Sequence, residues 1–204
     1  MKRVKKITKE TDNKFLNLYT LDSETRSGNI IKYEVASRAR TADKLKLSRE
    51  GKPSDATADA VMIYAVLGDK IVLEKQFRYP VDDYVYELPA GLIEEGEKAE
   101  EAGVREFYEE TGMKLMLLKS TSGASSRPFF SSSGMTDESI SLVYGFASGT
   151  PTSEHEESTE DIKVILADRW ECRRILKEEN VSTMCALVMM NFINDTGDPF
   201  GFIV

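Results

Sequence analysis

Residues 97–112 carry helical spacing and close on Gly112, the glycine expected just past a helix end, between stretches that read as strands. That placement limits the folds open to the chain. β-rich runs at 15–22 and 29–38, separated by the turn-like "SETRSG", precede it and suggest an N-terminal hairpin or small sheet. Polar residues 41–58 read as a loop or linker, and the main domain is expected to begin at 58. There "DAVMIYAVLGDKIVLEKQFRYP" predicts two strands around "LGDK", and "DDYVYELPAG" predicts a third ending in a Pro-Gly loop. After the helix come a Ser/Gly-rich loop at 120–139, a strand at 140–147, an acidic loop at 149–161 and a strand from 162. Two helices finish the chain, 168–179 with Asp168 as cap and 182–194 with Ser182 as cap. The order predicts an α/β fold of mixed sheets sandwiched by helices. It divides into a β-rich region at 1–57 and a main domain at 58–204.

A chain of 204 residues, 41% hydrophobic, is long enough to bury a substantial core. With 27 Lys+Arg against 35 Asp+Glu the formal charge is −8, which argues against a nucleic-acid partner, because such binding depends on many cationic phosphate contacts. A small anionic ligand is compatible if cations assist. The basic N-terminus lacks the apolar run of a secretory signal, and no stretch approaches a membrane span. Cys172 and Cys185 form neither a CxxC pair nor a disulfide framework, which suits a reducing cytoplasm. The single histidine, His155, excludes a multi-histidine zinc site, so any metal would be held by oxygen ligands.

Within the predicted helix, Val104, Phe107, Tyr108 and Thr111 share one face and Glu106, Glu109 and Glu110 the other. Ala99, Ala102 and Gly103 fall on the glutamate face, where a solvated surface would carry Lys or Gln. A mid-helix glycine costs about 1 kcal/mol relative to alanine, so Gly103 suggests a close approach there. Like charges at these spacings repel, and Arg105 alone does not offset three carboxylates. A divalent cation would. On spacing alone, a metal site and a solvated acidic face both stand.

The stretch 91–113, "GLIEEGEKAEEAGVREFYEETGM", resembles the Nudix signature G-x5-E-x7-R-E-U-x-E-E-x-G-U, where U is a bulky apolar residue. Gly91, Glu97, Arg105, Glu106, Phe107, Glu109, Glu110, Gly112 and Met113 stand at the required positions. The resemblance implies a Nudix fold, an α/β/α sandwich whose signature forms a loop, a helix and a loop around Mg²⁺ or Mn²⁺. It implies Glu106 and Glu110 as metal ligands, Glu109 as ligand or close neighbour, and the Ala90 carbonyl as a further ligand. Arg105 would orient the carboxylates and Glu97 would pair with it.

Outside the signature, "EKQFRYP", "YELPAG" and "SSSGMTDES" resemble the ADP-ribose and nucleotide-sugar pyrophosphatase branch. Gln76 and Arg78 match its residues before the signature, and a guanidinium suits a bidentate grip on phosphate. In the later loop Ser133 stands where proline is expected, while Gly134, Thr136, Asp137 and Glu138 agree. Phe129 or Phe130 would stack on substrate or belong to the core. The branch implies a glutamate from a later loop, here Glu157 as general base, with Glu156 as the next choice, and Glu160 as metal ligand. It also implies a homodimer in which residues 1–57, Tyr33 or Arg38 among them, reach a partner's site. The expected activity is metal-dependent hydrolysis of ADP-ribose to AMP and ribose 5-phosphate. GDP-mannose, a dinucleotide or an oxidised nucleotide are alternative substrates, and a non-catalytic nucleotide sensor is an alternative of another class. A Ca²⁺-binding structural protein would need an alternating acidic loop that this chain lacks.

Overall fold

The computed structural model describes residues 3–48, 58–118, 127–154, 161–195 and 197–203. Backbone contacts divide the chain into two compact units, Met1–Asp59 with Pro128–Ile140, and Ala60–Arg127 with Ser141–Val204. Residues 128–140, left with the main domain by the sequence reading, group with the N-terminal strands.

The first unit is built on an antiparallel sheet in the order β1 (Val4–Lys9), β2 (Asn17–Glu24), β3 (Ile30–Ser37). Strand β1 was not expected, since it does not alternate: a register irregularity between Val4 and Lys6 lets Val4 and Ile7, three residues apart, both turn inward among lysines. Tyr19, Leu21, Val35 and Leu45 are its buried centre, and the Tyr19 hydroxyl donates to the Ala39 carbonyl at 2.7 Å. The expected linker contains two 3-10 turns, Ala42–Lys44 and Lys46–Ser48, around the fully buried Leu45. The short β9 (Phe129–Phe130) pairs with Ser139 and Ile140.

The second unit is a mixed sheet along the path β11-β5-β4-β10-β8. Its strands are β4 (Ala60–Leu67), β5 (Lys70–Arg78), β8 (Lys114–Leu117), β10 (Ser139–Ser148) and β11 (Ile162–Ala167). β6 (Asp83–Glu87) is paired to β5 and β7 (Ala90–Leu92) to β4. Successive side chains of a strand point to opposite faces, and here both faces are covered. Val61, Ile63, Ala65, Val72 and Val143 pack with Ala102 and Phe107 of α1 (Ala99–Thr111). Tyr64, Val66, Ile71, Leu73 and Tyr144 pack with Cys172 and Ile175 of α2 (Arg169–Glu178), and with Cys185, Met189 and Phe192 of α3 (Thr183–Asn194). Helices on both faces of one mixed sheet make an α/β/α sandwich.

Helix boundaries follow local chemistry. The Asp168 carboxylate caps α2, accepting from the N–H groups of Trp170 and Glu171 at 2.9 and 2.8 Å. Ser182 occupies the equivalent position before α3 but makes no side-chain cap bond; its hydroxyl is buried without a partner among the described residues, so the expected cap is positional only. Gly112 ends α1 in the left-handed region at φ 67°, its N–H donating to the Tyr108 carbonyl at 2.8 Å. No helix among the described residues is long and apolar enough to cross a membrane.

Candidate active site

Helix α1 does not divide its faces as its sequence suggested. Ala102, Gly103, Phe107, Glu110 and Thr111 are buried, whereas Val104 and Tyr108 are exposed. The glutamates therefore border the core face instead of opposing it. Gly103 is explained by packing: a Cβ there would come within 3.0 to 3.2 Å of the Val143 side chain. The close approach inferred from that glycine comes from the sheet, not from a ligand.

One guanidinium organises the acidic cluster. Arg105 donates through Nε and Nη2 to both oxygens of Glu97, at 3.0 and 2.9 Å, and through Nη2 to the Leu92 carbonyl at 3.0 Å. Its Nη1 lies 3.0 Å from Glu109 Oε2 and 2.9 Å from Glu106 Oε1. A planar fork with five donors suits such a hub, and a lysine would not fill it. The guanidinium beside Glu97 holds that carboxyl down at about 2, helped by the Glu94 N–H that donates to it at 3.0 Å. Glu106 moves the other way. Burial raises its pKa, against the pull of Arg105.

The loop before the helix is fitted to these carboxylates. The Ala90 N–H donates to Glu110 Oε2 at 3.1 Å, and Glu110 is only 6% exposed. Gly91 leaves room for Glu106: a Cβ there would stand 1.9 Å from the Glu106 Cδ and 2.2 Å from each oxygen. At the helix start the Glu101 carboxylate accepts from the Lys98 N–H at 3.2 Å.

Strand β5 brings further groups to the same side of the sheet. Val72 packs under α1, so Glu74, Gln76 and Arg78 share that side by alternation, while Lys75 turns toward α2 and pairs with Glu179 at 3.0 Å. Gln76 is buried, and the Arg78 Nε donates to the carboxylate of Glu87. Glu74, Glu87 and the Leu92 carbonyl were missed in the sequence. Period-two spacing from Gln76 back to Glu74 would have found the first, and the antiparallel partner of Glu74, which is Glu87, the second.

The remaining expected residues belong to the first unit or fall outside the described residues. Arg38 belongs to the first unit, where its Nε donates to Glu138 Oε1 at 3.0 Å. Phe129 and Phe130, also there, are 41% and 47% exposed, which excludes the core reading for both. The Tyr33 hydroxyl donates to the Gly134 carbonyl at 2.6 Å. Glu156, Glu157 and Glu160 fall outside the described residues.

The donors at α1 are hard carboxylate and backbone oxygens, the chemistry that divalent cations of the Mg²⁺ type accept. Among the described residues no three acidic, histidine or cysteine side chains converge as a closed cage. Such an ion commonly uses one or two carboxylates and completes its shell with waters and substrate phosphates, and the Glu106 seat on Gly91 fits that pattern.

A family model described as NUDIX domain matches residues 56–180, well over half of the chain. The chain belongs to the Nudix hydrolase family. Nudix hydrolases generally use divalent metal ions. Among its Nudix relatives, the ADP-sugar pyrophosphatase of Mus musculus is 37% identical over 106 residues, 48% of this chain and 49% of that protein. The ADP-ribose pyrophosphatase of Bacillus subtilis is 30% identical over 138 residues, 67% of this chain and 62% of that protein. The aligned region thus spans roughly half to three fifths of the relatives' length. The crystal structure of an ADP compounds hydrolase shares the Nudix fold with a TM-score of 0.66, over 95% of this chain and 92% of that one, at 16% identity.

Proposed function

We propose that this Nudix protein hydrolyses the pyrophosphate bond of a nucleoside diphosphate sugar, with ADP-ribose as first choice and AMP and ribose 5-phosphate as products. The observation that carries the reading is the set of Glu97, Glu106 and Glu109 gathered on the Arg105 guanidinium, with Glu110 seated on the Ala90 N–H beside them. The names of the mouse and Bacillus subtilis relatives support the substrate class.

Glu106 and Glu110, with the Ala90 carbonyl and with Glu109 alongside, would hold Mg²⁺ or Mn²⁺. Such an ion neutralises pyrophosphate oxygens and acidifies water. The chain's own residues do the remaining work. Arg105 keeps three carboxylates in place, Gln76 and Arg78 bind phosphate oxygens, and Glu157 takes the proton of the attacking water while Glu160 completes the ligand set. Arg38 and Phe130 are assigned to substrate binding in a homodimer, and Cys172 and Cys185, both free and buried, suit a reducing cytoplasm.

The test is a panel of ADP-ribose, GDP-mannose, a dinucleotide and an oxidised nucleoside triphosphate, assayed with Mg²⁺, with Mn²⁺ and with chelator. Turnover of ADP-ribose that chelator abolishes is expected. Rapid turnover of a triphosphate with none of ADP-ribose would replace the substrate, and nucleotide binding without any hydrolysis would make the chain a sensor.

A further inference from the structure

We propose that Glu87 is a positioning residue for Arg78, holding the Nε edge of its guanidinium so that the two terminal amino groups are presented to the phosphate oxygens of the ligand. The inference rests on the pyrophosphatase reading and adds a residue that the reading does not contain.

The pairing runs against the simplest expectation from strand register. Arg78 stands opposite Asp83 in the β5–β6 ladder, whereas Glu87 stands opposite Glu74, four positions further along β6. Asp83 is engaged elsewhere. Its carboxylate accepts from the Tyr84 N–H at 2.7 Å and from the Asn180 side chain at 2.9 Å. The Arg78 side chain instead lies back along the sheet to reach Glu87, on the side that carries Gln76 and faces α1. Drawing it there also places a cation on Glu87, which stands directly across the ladder from Glu74, where like charges otherwise repel.

The pair is asymmetric. The Glu87 side chain is 19% exposed and that of Arg78 is 45% exposed, so the acid is the sheltered anchor and the arginine is the part offered to solvent. With Nε committed, the Nη1 and Nη2 fork keeps the geometry that binds a phosphate through two parallel bonds. Glu87 is also connected to the carboxylate array by a short, fixed stretch of backbone. Leu88 is buried, the Pro89 carbonyl accepts from the Ile63 N–H at 2.8 Å, and the Ala90 N–H holds Glu110. The segment that seats the phosphate-binding arginine therefore also seats a proposed metal ligand three residues later.

An ordinary half-exposed ion pair would leave substrate binding unchanged, which gives the test its discriminating readout. With Mg²⁺ and ADP-ribose, Glu87→Ala is expected to raise KM about tenfold with kcat within about twofold, the pattern of binding lost equally from the ground and transition states. Glu87→Gln, which can still accept from Nε, should fall between it and the parent. In an Arg78→Ala background Glu87→Ala should add nothing, because the two act as one unit. An undiminished effect of Glu87→Ala in that background, or a collapse of kcat at constant KM, would overturn the proposal. If the parent hydrolyses no nucleoside diphosphate, the functional reading fails separately. Parent, Glu87→Ala, Arg78→Ala and the double variant are then titrated with inorganic pyrophosphate by calorimetry, where weaker binding by Glu87→Ala that adds nothing in the Arg78→Ala background supports the positioning role and equal affinities for parent and Glu87→Ala refute it.

Discussion

The Glu106 carboxylate occupies the space where a side chain at Gly91 would begin, with a Cβ there only 1.9 Å from Cδ. Gly91→Ala should therefore move Glu106 while leaving the sheet intact. A displacement of this order at a reacting centre costs about 100-fold in rate. The measurement is kcat on ADP-ribose beside the far-ultraviolet spectrum, and full activity in the variant would show that Glu106 need not sit where it does.

Arg105→Lys should lose both stability and activity. Lysine keeps the charge but not the fork that reaches Glu97, Glu109 and the Leu92 carbonyl together. Charged hydrogen bonds contribute about 1.5–3 kcal/mol each, so urea unfolding is expected to show a loss of roughly 2 kcal/mol. An unchanged midpoint would mean that charge alone suffices at this position.

Gly112→Ala combines two penalties. The residue is at φ 67°, and a Cβ would meet the Thr152 Cγ2 at 2.1 Å. Left-handed backbone at a non-glycine residue costs about 1–3 kcal/mol, and the contact adds to it. A thermal melt within experimental error of the parent would contradict this account of the helix end.

Acid sensitivity is expected on the far side of the sheet from α1. The Arg174 guanidinium, and after it the Lys75 ammonium, hold the Glu179 carboxyl below its ordinary value of 4.5. Lys75 is in turn raised above 10.5, first by its bond to Glu179. A depressed carboxyl contributes stability that is complete above its unfolded value and is lost as pH falls through the folded one; a raised lysine contributes below its unfolded value and loses it as pH rises. This linkage is therefore fully present between about pH 4.5 and 10.5. Glu179→Gln should flatten the acid limb of a stability profile below pH 4.5, and an unaltered limb would remove Glu179 from the explanation.

Much of the second unit was legible because its elements obey strong local rules. β4, β5 and α2 are bounded by the turn "LGDK" and the cap at Asp168, and α1 ends at a glycine that its backbone requires. The signature spacing that placed Glu97, Arg105, Glu106 and Glu109 together also described their contacts, because Arg105, Glu106 and Glu109 share one helix turn and Glu97 stands just before the helix. What was not legible depended on distant partners. Val104 and Tyr108 look like core by periodicity, but the sheet covers the neighbouring strip where Ala102, Gly103 and Phe107 lie. Glu87 could not be paired with Arg78 even from the register of β6, which sets Asp83 opposite Arg78. β8 is only four residues long and too short to declare itself.

Strand β5 works as a partition. Ile71, Leu73 and Lys75 serve the α2 and α3 side, while Val72, Glu74, Gln76 and Arg78 serve the α1 side. The two sets differ in kind, one chiefly mechanical and the other rich in polar groups, yet they are interleaved residue by residue on one backbone. A single residue inserted before Ile71, with the register held at the upstream turn, would exchange them, driving charges into the oily layer and leaving isoleucine and leucine beside the carboxylates. Point substitutions in either layer can accumulate independently, but the length of this strand is fixed by both at once.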